Sequence, residues 1–371
     1  MKTKISFIYK HIFIIIFICT IPLVTIADSL QPGFSKTEYA EMLRISARQV
    51  DTPWTKVSSP FPERFKIIYR SPIMGLDNRW DLWMDNRSTA VISIRGTTPG
   101  FNSWLANFYA AMVPAKGFLQ LEKNYTFNYH LANDPKAAVH TGWLIGTGIL
   151  CRDILPKIDS LYKSGCKNII IMGHSQGGGI AYLLTSHLYN LRSKEIIPKD
   201  LILKTYCSAA PKPGNLYYAY EFEAMTEGGW AFNVVNAADW VPEMPVSVQT
   251  TSDYNAVNPF VNAVPIIKKQ KFIQQVLLMK MYKKLSGPPR KSLEEYEKIL
   301  GEKAYSFVKK QMPEFIEPRY FGTINYVRTG KTIVLLPDES YRQTFPDDPS
   351  HIFMHHFFEP YFFLLNKLEG Y

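Results

Sequence analysis

The chain has 371 residues, 46% of them apolar and 14% aromatic, and a formal net charge of +10. That length and apolar content supply a sizeable core, in one large α/β domain or two smaller ones, and exclude an intrinsically disordered chain. Of four cysteines only Cys151, Cys166 and Cys207 lie beyond the first 27 residues, an odd number that argues against a disulfide framework and for small buried hydrophobes.

Met1 to Ala27 carries three lysines and then a nearly unbroken apolar stretch, closing on a small residue before Asp28. This pattern reads as a signal peptide, so the protein is expected to be secreted or held in the periplasm or cell envelope. A retained N-terminal membrane anchor is the alternative, although the apolar span is short for a bilayer core of about 30 Å. Cys19 follows Ile18, which lacks the small side chain expected at a lipid-attachment site.

Ser35-Lys36-Thr37-Glu38 is a capping box that opens an amphipathic helix to about Val50. Strand signals follow at Lys66–Arg70, Trp80–Met84 and Thr89–Arg95, the last two joined by a turn at Asp85-Asn86-Arg87. A helix is expected from about Thr141 to Tyr162, then strands at Asn168–Met172, Ile202–Ser208 and Trp230–Val235. A hairpin around Thr329-Gly330 and a closing helix complete the chain. Strands alternating with helices indicate a mostly parallel central sheet with helices on both faces.

An insertion of about 246–320 interrupts this order. Ser292-Leu293-Glu294-Glu295 reads as the cap of a helix that Pro313 stops, with Leu293, Tyr296, Leu300, Ala304 and Phe307 on one face. Phe272 to Leu285 mixes apolar residues and lysines around the wheel and is not cleanly amphipathic. Between Ile266 and Met312 stand eleven Lys and one Arg against four Glu. Such a segment attracts anionic surfaces; for an exported protein a peripheral lipid or membrane contact is expected rather than nucleic acid, and a merely solvated helical face is the plain alternative.

The most informative motif is Gly173-His174-Ser175-Gln176-Gly177, directly behind the apolar run Asn168–Met172 and ahead of the small residues Gly178-Gly179 and an apolar helical run. A strand that turns sharply through a serine flanked by glycines and enters a helix is a nucleophile elbow. It would expose Ser175 Oγ at the carboxyl edge of the sheet, with the Gln176 N–H facing a developing oxyanion. A serine hydroxyl needs a base, and the base a carboxylate to orient it; with an elbow these follow in the order serine, acid, histidine. Only His351, His355 and His356 lie beyond the elbow helix. The acid candidate is Asp239, where a strand ends and Pro242 blocks its continuation; a turn-capping aspartate is the alternative reading. His351 and His355 have the spacing to share a metal on a helix, but no convincing third ligand accompanies them.

Ile94-Arg95-Gly96-Thr97-Thr98, Val139-His140-Thr141-Gly142-Trp143, the elbow, Ala210-Pro211-Lys212-Pro213-Gly214-Asn215 and Asp239-Trp240-Val241-Pro242 with Pro245 together resemble the class 3 lipases. The resemblance runs from about Thr89 to Pro245 and resumes at 321–336 and in the closing helix. It implies an α/β-hydrolase fold with a helical insertion, occupying 28–371 behind the leader. It also implies Ser175 as nucleophile, Asp239 as orienting acid, and the N–H groups of Thr97 and Gln176 as oxyanion hole. The closing motif of the resemblance, a histidine five residues before a tyrosine, fits His356 and Tyr361, with His355 the alternative base. His140 matches a position outside the triad, where a structural role is expected. The segment Phe101 to Val113 sits where the resemblance places a lid, an ordinary packed helix being the alternative.

The expected activity is hydrolysis of lipid carboxylic esters, foremost acylglycerols, through an acyl-enzyme and with no cofactor or metal. Alternatives are a phospholipase A1 or lysophospholipase, a polar-substrate esterase, and a catalytically inactive homologue that binds membranes.

Overall fold

The computed structural model describes residues 29–50, 58–86 and 89–370. The expected leader, 1–27, lies outside the described residues, as does Arg87 of the expected turn. Among the described residues, one sheet holds seven strands in chain order: β1 (Lys66–Arg70), β2 (Trp80–Met84), β3 (Thr89–Ile94), β4 (Asn168–His174), β5 (Ile202–Ser208), β6 (Ala231–Asn236) and β7 (Lys331–Leu335). The first three pair antiparallel, and β3 to β7 run parallel.

The helices in chain order are α1 (Lys36–Ser46), α2 (Phe101–Phe108), α3 (Thr141–Lys163), α4 (Gln176–Ser193) and α5 (Leu216–Met225), then α6 (Ala263–Lys268), α7 (Phe272–Glu297), α8 (Ala304–Gln311), α9 (Glu339–Thr344) and α10 (Phe358–Lys367). The sheet is covered on both sides, which explains why β4 is an unbroken apolar run. Successive side chains on a strand point to opposite faces. Ile169 and Ile171 accordingly join the core under α3, α4 and α5, with Ile145, Leu184 and Phe222. Ile170 and Met172 join the opposite core under α1 and α10, with Tyr39, Met42 and Leu364. Truncating Ile170 or Ile171, each wholly buried, to Ala costs about 2–5 kcal/mol. This is the architecture of an α/β hydrolase, and it directs the carboxyl ends of β4 and β6 to one edge of the sheet.

Two short antiparallel sheets stand apart. One orders 326–327, 214–215, 138–140 and 112–114; the other pairs 116–122 with 125–130.

Several expectations are corrected. There is no hairpin at Thr329-Gly330: Tyr326–Val327 pairs with Gly214–Asn215, whereas Lys331–Leu335 enters the large sheet parallel to β6. No helix starts at Ser292. That residue lies inside α7, its Oγ donating to the Pro288 carbonyl at 3.1 Å, because the hydroxyl of a mid-helix serine finds the carbonyl four residues back. From α7 the chain continues without a break through the π-helical segment Lys298–Lys303 into α8. The N-terminal helix ends at Ser46 rather than near Val50, tightening into i→i−3 bonds from Arg48 and Gln49. Its cap is present: Ser35 Oγ accepts from the Glu38 N–H at 3.2 Å.

Val248 and Ile324 form an isolated antiparallel bridge, so the intervening segment leaves and returns to the body at one place. Cys151, Cys166 and Cys207 are buried, and the Cys166 thiol donates to the Asn168 carbonyl at 3.6 Å. Cys207 sits opposite Gly173 near the end of β5, while Cys166 precedes the start of β4.

Candidate functional site

At the end of β4 the backbone of Ser175 takes φ 61°, ψ −132°, a left-handed conformation that costs a non-glycine residue energy. Its neighbours explain the motif. A Cβ on Gly173 would stand 2.0 Å from the Gly177 carbonyl oxygen, and one on Gly177 would stand 2.3 Å from the Ile94 carbonyl oxygen. Only glycine permits this approach of strand, turn and helix. The Ser175 N–H is anchored on the Ser208 carbonyl at 2.9 Å, across to β5.

Asp239 stands in the turn after β6, its N–H bonded to the Asn236 carbonyl at 3.0 Å. Its carboxylate accepts three hydrogen bonds. His356 Nδ1 donates to Oδ2 at 2.7 Å, Tyr361 Oη donates to Oδ2 at 2.9 Å, and the Val241 N–H donates to Oδ1 at 3.0 Å. Asp239 and His356 are both buried. A carboxylate only accepts, so His356 Nδ1 carries the proton of this bond, and in the neutral ring Nε2 then keeps its lone pair.

His355 goes elsewhere. Its Nδ1 meets Tyr341 Oη at 2.8 Å, and its Nε2 meets Asp347 Oδ1 at 3.0 Å. His351 meets Asp348 Oδ2 at 2.7 Å on the surface. The two are thus held by different carboxylates, and among the described residues no group of three His, Cys, Asp or Glu could hold a metal ion. His355 and His356 occupy a 3₁₀ turn, Met354–His356, ahead of α10.

A second histidine contributes from the elbow itself. His174 is buried, and its Nε2 lies 2.8 Å from the main-chain oxygen of His356. A carbonyl only accepts, so Nε2 carries the proton and Nδ1 accepts from Ser208 Oγ at 3.0 Å. Ser208 Oγ in turn accepts a hydrogen bond from the Tyr39 hydroxyl at 2.6 Å. Burial, reinforced by the neighbouring His356, holds His174 well below the usual histidine range, so this chain of bonds runs through a neutral ring. His174 lies within the elbow motif, but nothing in the sequence marks Ser208 or Tyr39, whose parts depend on β5 and α1 meeting.

The loop Arg95-Gly96-Thr97 lies against Ser175: a Cβ on Gly96 would stand 2.9 Å from the His174 carbonyl and 3.4 Å from Ser175 Cβ. Gln176 opens α4, where first-turn amides lack partners in a preceding turn. The side chains of the two residues are tied together. Thr97 Oγ1 donates to Gln176 Oε1 at 3.0 Å and accepts from Asn107 Nδ2 at 3.0 Å, while Ser103 Oγ donates to the same Gln176 oxygen at 3.2 Å. Asn107 Oδ1 accepts from Trp143 Nε1 at 3.0 Å, and its main-chain oxygen accepts from His140 Nε2 at 3.1 Å. Burial lowers His140 to about 3, so it is a neutral structural residue stacked on Trp143 at 3.7 Å. Ser103 and Asn107 were not legible as site residues, since α2 had to fold over the loop first.

In the segment where a lid was expected, α2 buries Ser103, Leu105 and Ala106 and exposes Phe101 and Phe108. Aromatic rings lead from it to His356. Trp104 lies 6.1 Å from Phe353, which lies 5.3 Å from Trp240 and 6.0 Å from His356.

Residues 91–249 match the family described as lipase (class 3). No curated protein matches the chain. Solved structures similar to it include the Lip2 lipase of Yarrowia lipolytica, at 19% identity over 58% of this chain and 77% of that one, with a TM-score of 0.43. The Rhizomucor miehei lipase in its propeptide complex is 21% identical over 58% of this chain and 65% of that one, with a TM-score of 0.41. The lipase of Rhizopus microsporus var. chinensis is 24% identical over 57% and 68%, with a TM-score of 0.40.

Proposed function

Starting from a segment, 91–249, that belongs with the class 3 lipases, we propose that the protein is a serine hydrolase of lipid carboxylic esters, acylglycerols foremost, that works outside the cytoplasm or in the cell envelope. The observation that carries this reading is the 2.7 Å bond from His356 Nδ1 to Asp239 Oδ2, with the same histidine's main chain bonded to the residue before Ser175.

Ser175 Oγ attacks the ester carbonyl while His356 Nε2 takes its proton. Asp239 stabilises the imidazolium that forms and keeps the ring in the productive tautomer. The oxyanion of the tetrahedral intermediate rests on the N–H groups of Thr97 and Gln176, whose side-chain bond restricts how far the two can separate. His356 then protonates the departing alcohol, and water releases the fatty acid from the acyl-enzyme by the same steps in reverse. A phospholipase A1 reading uses identical chemistry and is favoured by the basic insertion, whose lysines suit an anionic head group.

A fluorophosphonate probe tests the reading: it should label the folded chain at one residue, with labelling lost in Ser175→Ala and strongly slowed in His356→Ala. Undiminished labelling of Ser175→Ala would place the nucleophile elsewhere.

A further inference from the structure

We propose that the arm formed by α6 and α7 docks the protein on an anionic lipid surface; this rests on the lipid-ester reading for its purpose but not for its evidence. No residue of the 26-residue α7 is buried. Its first turns nonetheless carry Phe272, Ile273, Val276, Leu277 and Leu278, all exposed, Phe272 at 78% and Ile273 at 82%. Side chains of this kind standing in water mark an interaction surface.

The charges around them select the occupant. Lys268, Lys269 and Lys271 precede the apolar run, Lys280, Lys283 and Lys284 follow it, and from Tyr254 to Leu293 there is no acidic residue. A second copy of the chain would bring like-charged clusters together. A nucleic acid would satisfy the lysines through its phosphates and leave the five apolar side chains in water. A lipid surface accepts both: the apolar run enters the acyl boundary, and the lysine stems extend back to anionic head groups. No helix among the described residues is long and apolar enough to cross a membrane, so α7 would lie on the surface rather than span it. The base of the arm reaches the site through Phe307 of α8, 6.2 Å from Phe101 of α2.

The test is vesicle co-sedimentation of the full chain carrying Ser175→Ala, which leaves the lipid intact. Binding is expected to vesicles of phosphatidylcholine with phosphatidylglycerol and to be weak on phosphatidylcholine alone. Replacing Lys280, Lys283 and Lys284 together by Gln should lower partitioning about a hundredfold at low salt, at about fivefold per lysine. Phe272→Ser with Ile273→Ser should lower it on the same vesicles. All these positions lie outside the core, so both variants should keep the parent melting temperature and hydrolyse a water-soluble short-chain ester at the parent rate in the Ser175 background. Equal binding to neutral vesicles, unchanged binding by both variants, displacement by duplex DNA, or an arm-dependent dimer without vesicle binding would each overturn the proposal. Arm-dependent vesicle binding in a chain that hydrolyses no ester would sustain docking and remove the hydrolase reading. Ester hydrolysis without arm-dependent binding would do the opposite.

Discussion

The imidazole of His174 and the main-chain carbonyl of His356 meet at 2.8 Å, so the residue that precedes the proposed nucleophile also holds the backbone of the proposed base. Ser208 and Tyr39 complete the arrangement from β5 and α1. The distance between Ser175 and the proposed base is thereby set by buried hydrogen bonds as well as by the short turn that carries His356.

Ser208→Ala removes the donor to His174 Nδ1 and the acceptor for Tyr39 Oη. Two buried polar groups lose a partner, which costs about 1–3 kcal/mol of stability. If this chain positions the base, kcat should fall about tenfold, about 1.4 kcal/mol of barrier, with KM nearly unchanged, and Ser208→Thr should restore it. A variant that melts earlier but keeps its kcat would assign the chain to stability alone.

His356→Ala should lower kcat/KM on the order of 10⁴-fold, whereas His355→Ala, which breaks contacts to Tyr341 and Asp347, should stay near the parent value. Steady-state kinetics on one ester decides it. Equal losses, or the larger loss in His355→Ala, would move the base by one position.

Most of the large sheet was legible in the sequence because buried strands such as Asn168–His174 must be apolar on both faces, and β-branched runs between turn residues show it. The elbow was legible for a steric reason, the closeness of Gly173 and Gly177 to backbone oxygens. Local composition failed where partners are distant. Tyr326–Val327 and Lys331–Leu335 look like a hairpin, yet each finds a better sheet edge elsewhere. Ser292 looks like a cap, but the helical turns before it were already in place. Asn107, Ser103 and Ser208 carry no signal of their own; α2 and β5 bring them to the site only after tertiary packing.

Tyr361→Phe removes one of three hydrogen bonds to the Asp239 carboxylate and the acceptor for the Asn236 N–H. The expected cost is about 1–3 kcal/mol of stability, since a buried N–H is left without its partner. A fall in kcat of about tenfold should accompany it as Asp239 loses orientation. Thermal melts and kinetics on the same preparation separate the two effects, and unchanged kcat would show that His356 and Val241 hold the carboxylate sufficiently.

Three buried histidines give stability a defined pH dependence. Burial lowers His140 to about 3 and His187 to about 4, and holds His174 well below the usual range. In the unfolded chain each titrates near 6.5. Below that pH the unfolded state binds protons that the folded state refuses, so the contribution is complete above about 6.5 and is lost as pH falls toward 4 and 3. The melting temperature should drop steeply on acidification through this window. His187→Leu, beside Phe127, should flatten the slope by up to one proton, about 1.4 kcal/mol per pH unit. An unaltered slope would show that His187 is protonated in the folded state.

The most direct measurement is hydrolysis of emulsified triacylglycerol, anionic phospholipid and short p-nitrophenyl esters by the full chain beside its Ser175→Ala variant, with melting curves for both. The expected result is turnover of a lipid ester that vanishes in the variant while the melting temperature stays the same, the preferred ester separating lipase from phospholipase. Turnover retained by Ser175→Ala, or none on any ester from a folded parent protein, would contradict the assignment of Ser175, Asp239 and His356 as a working triad.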